Sequence, residues 1–329
     1  MTPDGTAPEA AARQHRRRRP DPGRRRPART VLILAALLAL VSLYPDPVPN
    51  AGPRLGSLLE TFQPWLPLAA LPLAAVALWR RSVPALAACA LPGAAWLIAH
   101  GGALFADEDT PYDLTALQHN VSDVNPDPAG TARKLVEAEP DLIALEEVTP
   151  AALPAYREIL SATHPHSAVE GTVALWSRHP LTEVSPVDIR PQDVPRDWRR
   201  GLRATAHTPK GAIAVYVAHL PSVRMSPTEG FGTARRDESA RYLGRAIEAE
   251  ETDRVLLMGD LNSTVADRGL SPVTSQLHAP AGALAFSWPA SLPLARIDQV
   301  LARDAKIVHI RALGRTGSDH LPVLAGVRF

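Results

Sequence analysis

The sequence predicts an α/β domain of two packed sheets covered by helices, preceded by a bundle of about three membrane-spanning helices. From about residue 113 onward, apolar runs of strand length alternate with amphipathic, helix-period segments. Some neighbouring runs are joined by tight turns, which favours packed sheets with hairpins over a doubly wound parallel sheet. Ahead of them, stretches at residues 31–44, 65–79 and 83–98 are apolar and carry no charged residue.

The first 29 residues are a separate electrostatic object. Nine arginines and one acid, Asp21, fall between residues 13 and 29, a composition that predicts a disordered basic tail. The run that follows has 14 residues, short for a hydrocarbon core that usually takes ~20. A secretory signal peptide also joins a basic start to a short apolar stretch. Here the stretch ends in Leu43-Tyr44-Pro45-Asp46-Pro47 rather than at a small-residue cleavage site, and two more apolar runs follow. Buried helices of a globular domain are the other alternative. Prolines at 64, 67, 72, 84 and 92 are costly in water-exposed helices but tolerated in membrane spans. Trp65, Trp79 and Trp96 lie near run ends, where interfacial tryptophans gather. By the positive-inside rule the arginine tail is cytoplasmic and residues 45–61 lie outside. Arg80 and Arg81 return to the cytoplasm, and the chain exits again near His100. The expected division is a tail at 1–29, a membrane region at 30–105 and an extracytoplasmic domain at 106–329.

Within that domain, residues 115–121 read as a strand and 129–138 as an amphipathic helix. Residues 141–148 form a buried strand, 150–162 a second helix and 171–176 a further strand. Strands at 202–207 and 212–219 flank Thr208-Pro209-Lys210-Gly211, a hairpin turn. A long helix at 233–250 precedes strands at 254–258, 296–301, 307–313 and 323–327. From residue 106 onward the chain holds 23 Lys and Arg against 29 Asp and Glu, a net charge of −6. An acidic domain grips a polyanion poorly, which ranks nucleic acid low among partners. Cys89 is the one cysteine, so no intramolecular disulfide forms.

Polar residues close these strands at intervals. They are Asn120 in LQHNV, Glu147 in DLIALEEV, His219 in VAHLP, Asp260 and Asn262 in LLMGDLN, Asp298 in RIDQVL, and Asp319 and His320 in GSDHLPV. Carboxylates are hard oxygen ligands suited to Mg²⁺, and histidines with amides grip a phosphoryl group. Taken singly, Asn120 reads as a turn residue, Glu147 as a helix cap and His219 as a structural histidine. The GDLN and SDH pairs are harder to explain as surface polarity. The chain shows no cysteine–histidine zinc spacing, nucleophile elbow or Walker-type phosphate loop.

In order and spacing these motifs resemble the endonuclease/exonuclease/phosphatase superfamily, over roughly residues 113–329. The resemblance implies a DNase I-like four-layer α/β/β/α sandwich with its site at one edge. It implies that Glu147 binds Mg²⁺ (or Mn²⁺), with Asp319 near the metal and Asn120 supporting that end of the site. It also implies that Asp260 orients or deprotonates the attacking water, Asn262 holds a phosphoryl oxygen, His219 contacts the scissile phosphate, and Asp298 pairs with His320. Family members often carry Gln-Glu where this chain has Glu146-Glu147. For substrate contacts, Arg203 stands for a cluster with Arg196, Arg199 and Arg200, and Trp288 in FSWP is a pocket-wall candidate or a core aromatic. Three spans ahead of such a domain resemble the VanJ-like branch, associated with teicoplanin resistance and lipid-linked cell-wall precursors. The expected substrate is therefore a phosphate or pyrophosphate on a membrane lipid, such as an undecaprenyl carrier. An extracytoplasmic nuclease or general phosphodiesterase is the runner-up, and a non-catalytic membrane-anchored binding module the alternative of another class.

Overall fold

A computed structural model describes residues 22–102, 110–228, 230–279 and 283–329. Most of the expected disordered tail lies outside these residues. Its last part does not: α1 spans Pro22–Leu43, so residues 22–29 are helical. Arginine is a good helix former and continues the turn begun by the apolar run.

The N-terminal region continues with α2 (Leu55–Thr61), a 3₁₀ segment (Gln63–Ala69), α3 (Ala70–Trp79), α4 (Val83–Ala88) and α5 (Leu91–His100). Val31, Ala77 and Ala85 form a small buried cluster where α1 meets α3 and α4. Small side chains there let the helices approach closely. Among the described residues, one stretch, Val83–His100, is long and apolar enough to cross a membrane. The segments Leu55–Thr61 and Gln63–Trp79 would make a second only as a pair bent by 89°, and apolar Ala28–Leu43 is shorter.

The remainder is two sheets face to face. The first orders β12-β13-β1-β2-β4-β3, built from β1 (Leu114–Asn120), β2 (Leu142–Glu146), β3 (His166–Glu170), β4 (Val173–Ser177), β12 (Lys306–Ala312) and β13 (Val323–Arg328). The second orders β11-β10-β7-β6-β5, from β5 (Leu181–Pro186), β6 (Gly201–Thr208), β7 (Gly211–Ala218), β10 (Val255–Asp260) and β11 (Asp298–Arg303). A separate hairpin pairs β8 (Arg224–Ser226) with β9 (Gly230–Gly232). Side chains alternate across each strand, so both faces bury apolar residues. Ala116, Leu142, Leu175, Val215, Met258 and Val300 fill the space between the sheets. Leu117, Ile143 and Trp176 point to the opposite face and meet α6 (Pro128–Glu137) and α7 (Leu153–Leu160) through Leu135, Tyr156 and Leu160. Tyr216, Leu257 and Leu301 do the same for α8 (Ala234–Glu248) and α9 (Ser271–Thr274) through Leu243, Ile247 and Val273. The order of layers is α/β/β/α.

The two regions interlock. Ser57 Oγ donates to Asp267 Oδ1 at 2.9 Å, and Glu60 receives Arg268 through both its backbone N (3.0 Å) and its Nε (2.8 Å). Trp65 Nε1 donates to Leu294 O at 2.7 Å and its ring lies 5.4 Å from that of Phe286.

Candidate active site

One rim of the sandwich collects the polar strand ends. β1 and β2 run parallel and so do β7 and β10, so each pair delivers its C-terminal end to the same edge of its sheet. Those ends carry Asn120, Glu146-Glu147, His219 and Asp260. Two strands run the other way, β11 against β10 and β13 against β1, and each brings its start to the rim. There Asp298 faces Asp260 across the ladder, and His320 lies just before β13. Glu147 (φ 60°) and Asn262 (φ 45°) adopt left-handed backbone immediately past their strands. That sparsely populated conformation turns the chain sharply and aims the side chains inward. At Gly259 a Cβ would lie 1.9 Å from Ala218 O, so only glycine lets β10 approach β7 this closely.

Asp260 is the hub. Its Oδ2 accepts from Asn120 Nδ2 at 3.0 Å, and its Oδ1 accepts from the backbone of Asn262 at 2.9 Å. The Nε2 atoms of His219 and His320 each stand 3.7 Å from Oδ2. Burial raises Asp260 to about 7, against the pull of His320 and Asn120. His320 Nδ1 lies 2.8 Å from Asp298 Oδ2. Burial alone would lower the imidazole, but the carboxylates of Asp298 and Asp260 outweigh it and lift His320 to about 10. Asp298 is held below its ordinary range, because the charge and hydrogen bond of His320 overcome the cost of burial. The pair is thus imidazolium and carboxylate at neutral pH.

His219 has the opposite character. It is fully buried, and burial with the charges of Arg200 and His320 pushes it well below its ordinary pKa. Arg200 Nη1 lies 3.1 Å from its Nδ1 and 3.4 Å from its Nε2, a cation that favours the neutral ring. Nε2 stands between Glu147 Oε1, at 3.8 Å, and Asp260 Oδ2. Gln118, which sequence reading passed over, donates from Nε2 to Glu146 Oε2 at 2.6 Å and to Asp298 Oδ1 at 3.0 Å. The signal was available: Gln118 sits two residues before Asn120 on a strand and so shares its face. Burial and the charges of Asp298 and Asp260 raise Glu146 well above its ordinary pKa.

The remaining expected residues are placed differently. Asn120 uses Oδ1 for Ser122 N (3.0 Å) and Nδ2 for Asp260, so it orients the base rather than presenting a free ligand. Asn262 donates its Nδ2 to Leu220 O at 2.9 Å, which ties its amide to the loop after His219. Asp319 is exposed beside the cluster, where its charge helps to raise His320. Trp288 is 37% exposed on a loop whose backbone brackets the terminal motif, through Ala290 N to Asp319 O and Leu321 N to Ser287 O. Arg203 is corrected. Its Nε and Nη2 are engaged by Glu250 at 3.0 Å and its Nη1 by Glu183 at 2.9 Å. It is the third residue of β6, roughly 7 Å from the rim end of the strand. Arg200, just before β6, is the member of the arginine cluster that enters the site.

The donor set fits a hard divalent cation. Ligand atoms of Asp260, Asp298 and His320 lie within 4.8 Å of one another. Both Asp298 oxygens are taken, however, and His320 is cationic, so these two form an ion pair rather than a metal seat. Glu147 keeps a carboxylate oxygen, Oε1, turned to the centre, 3.8 Å from His219 Nε2. Hard oxygen donors of this kind suit Mg²⁺ or Mn²⁺.

Comparison with known proteins agrees with this geometry. The sequence profile described as Endonuclease/Exonuclease/phosphatase family matches residues 95–320. A comparison with curated proteins returns no match. Among solved structures, humanized TDP2 of D. rerio aligns at 18% identity and TM-score 0.54, over 66% of this chain and 99% of its own. Beta toxin of Staphylococcus aureus aligns at 15% and 0.51, over 65% and 99%. An endonuclease/exonuclease/phosphatase from Bacteroides vulgatus aligns at 14% and 0.54, over 67% and 100%. At these identities the likeness is one of fold.

Proposed function

Since this chain belongs to the endonuclease/exonuclease/phosphatase family, we propose that it is a membrane-anchored, divalent-metal-dependent phosphoesterase acting on a phosphate or pyrophosphate carried by a membrane lipid. The observation that carries the chemistry is the meeting of Asp260 with His219, His320 and Asn120 around one carboxylate. A divalent cation at Glu147 would supply charge neutralisation for the phosphoryl oxygens. Asp260, poised near 7 by burial, takes a proton from the attacking water. His320, fixed through Nδ1 by Asp298, offers its Nε2–H to a phosphoryl oxygen as charge builds. His219 presents a neutral ring from the other side, fixed by Arg200.

Membrane attachment is supported by where apolar surface is exposed. Sixteen of the 22 exposed large apolar side chains among the described residues fall between Ile33 and Ile98. Water would not favour that distribution, whereas lipid would. The contacts of residues 53–65 with the catalytic domain support a reading in which the two share one side of the membrane. With the arginine tail inside, that side is extracytoplasmic. We place the chain in the VanJ-like branch on this architecture, with an undecaprenyl-type carrier as substrate. Full-length protein in detergent with Mg²⁺, given polyprenyl pyrophosphate, is expected to release inorganic phosphate, and Asp260→Ala is expected not to.

A nuclease reading has one favourable feature. A groove of about 800 Å³ adjoins the centre, lined by Arg200, Arg224, Trp198 and Met225. The net charge of −6 on the domain works against a long polyanion. Rapid cleavage of plasmid DNA without phosphate release from lipid would reverse the ranking.

A further inference from the structure

We infer that a half-open cavity at the junction of the N-terminal helices and the catalytic domain is a second, non-catalytic binding site for a phosphate group. The cavity measures about 240 Å³ and lies between Thr61, Gln63 and His100 on one side and Thr264, Phe286 and Arg296 on the other. None of its lining residues belongs to the catalytic cluster.

Three of its polar groups lack hydrogen-bond partners. Arg296 Nη1, Thr61 Oγ1 and Thr264 Oγ1 are all buried with no hydrogen bond among the described residues. Arg296 is 4% exposed and Thr61 6%. Glu60 also lines the space, yet its carboxylate is engaged by Arg268 Nε and backbone N. Burial lowers Arg296 to about 10 and no acid among the described residues offsets it, so the guanidinium is still charged at neutral pH. An unpaired buried charge and two orphaned hydroxyls are costly unless something supplies acceptors. Donors reach the space from both walls, which suits a tetrahedral oxyanion with three free oxygens better than a planar carboxylate. Guanidinium is also a preferred partner of phosphate. The rest of the wall, with Phe286, Leu284 and Ala99, is apolar. A water occupies ~30 Å³ of liquid, so the space takes a phosphate and the first carbons attached to it. The occupant is a free phosphate or the headgroup of an anionic lipid, and in either case it ties the membrane region to the domain.

The site is tested by thermal unfolding of the full chain in phosphate-free detergent, with inorganic phosphate or lysophosphatidylglycerol added. EDTA is present throughout, so the readout does not depend on hydrolysis. The expected result is a rise in Tm of about 4 °C or more with saturating ligand. It persists in His320→Gln, which alters the catalytic centre, and disappears in Arg296→Met. Without ligand, Arg296→Met unfolds at a higher temperature than the parent, since an unpaired buried charge is gone. A response to both ligands identifies the phosphate itself, and a response to the lysolipid alone identifies a headgroup. If Arg296→Met does not fold, Thr264→Val replaces it and must cut the rise. No rise with either ligand, or a rise retained in the variants, overturns the proposal and leaves the cavity to water.

Discussion

Asp260 and His320 stand 3.7 Å apart, and both hold a proton more tightly than they would in water. Asp260, raised to about 7, is a carboxylate able to accept a proton near neutrality, and His320, raised to about 10, stays protonated throughout that range. The rate is therefore expected to climb as pH rises through about 7, as Asp260 ionises, and to fall as pH rises through about 10, as His320 loses its proton. A bound cation favours the Asp260 carboxylate, so raising Mg²⁺ should move the ascending limb to lower pH; a profile indifferent to Mg²⁺ would count against metal near Asp260. Asp260→Asn keeps shape and loses the base, with an expected fall in kcat of about 10²–10⁴ and little change in KM. Asp298→Asn leaves His320 without its partner. Its descending limb should move to lower pH, and a ¹⁵N titration of the imidazole reads this directly. Several of these residues could be named from strand-end motifs. Gln118 and Glu146 carry no such motif: alternation puts Gln118 on the face of Asn120, but its bond to Glu146 depends on which strands lie side by side.

At the scale of elements, a buried cation on α8 holds the loop after β10 and links it to the N-terminal region. Arg236 of α8 is 1% exposed; its Nη1 donates to Asn262 O at 3.2 Å and its Nη2 to Asp267 Oδ2 at 2.7 Å. Asp267 in turn accepts from Ser57 of α2. Arg236→Met would leave Asp267 buried without its countercharge, a loss of about 3–5 kcal/mol measurable by denaturant unfolding. Glu60→Gln breaks the neighbouring pair with Arg268 at a smaller cost, since Arg268 is 28% exposed. It should lower kcat more than it raises KM, because the Asn262 loop loses a support rather than a substrate contact. Most strands and all three longer domain helices were legible from periodicity. The edge strands β3 and β5 were not. HSAVE and LTEVSP are short and polar, and β5 is interrupted by a register shift with Glu183 at φ 50°. Such edges are paired on one side only, so little hydrophobic pattern is required of them.

The molecule as a whole is an acidic α/β/β/α sandwich held against a set of apolar helices. If both contacts and charge bias act as argued, the β8–β9 hairpin faces outward from the cytoplasm. With Cys89 replaced by alanine, Thr228→Cys in intact cells should react with a membrane-impermeant maleimide; protection until the cells are lysed would invert the orientation. Local pattern in the chain was enough for the class of domain, the order of its catalytic motifs and the apolar character of the first third, since strand alternation, turn residues and charge are properties of neighbours in sequence. Only the folded structure decided which of the four clustered arginines enters the centre, that Asn120 serves Asp260, and that Glu60 and Arg268 join the two regions. Those outcomes depend on which strands lie side by side and how far along each strand a side chain sits, and distances across a fold are set by packing rather than by spacing along the chain.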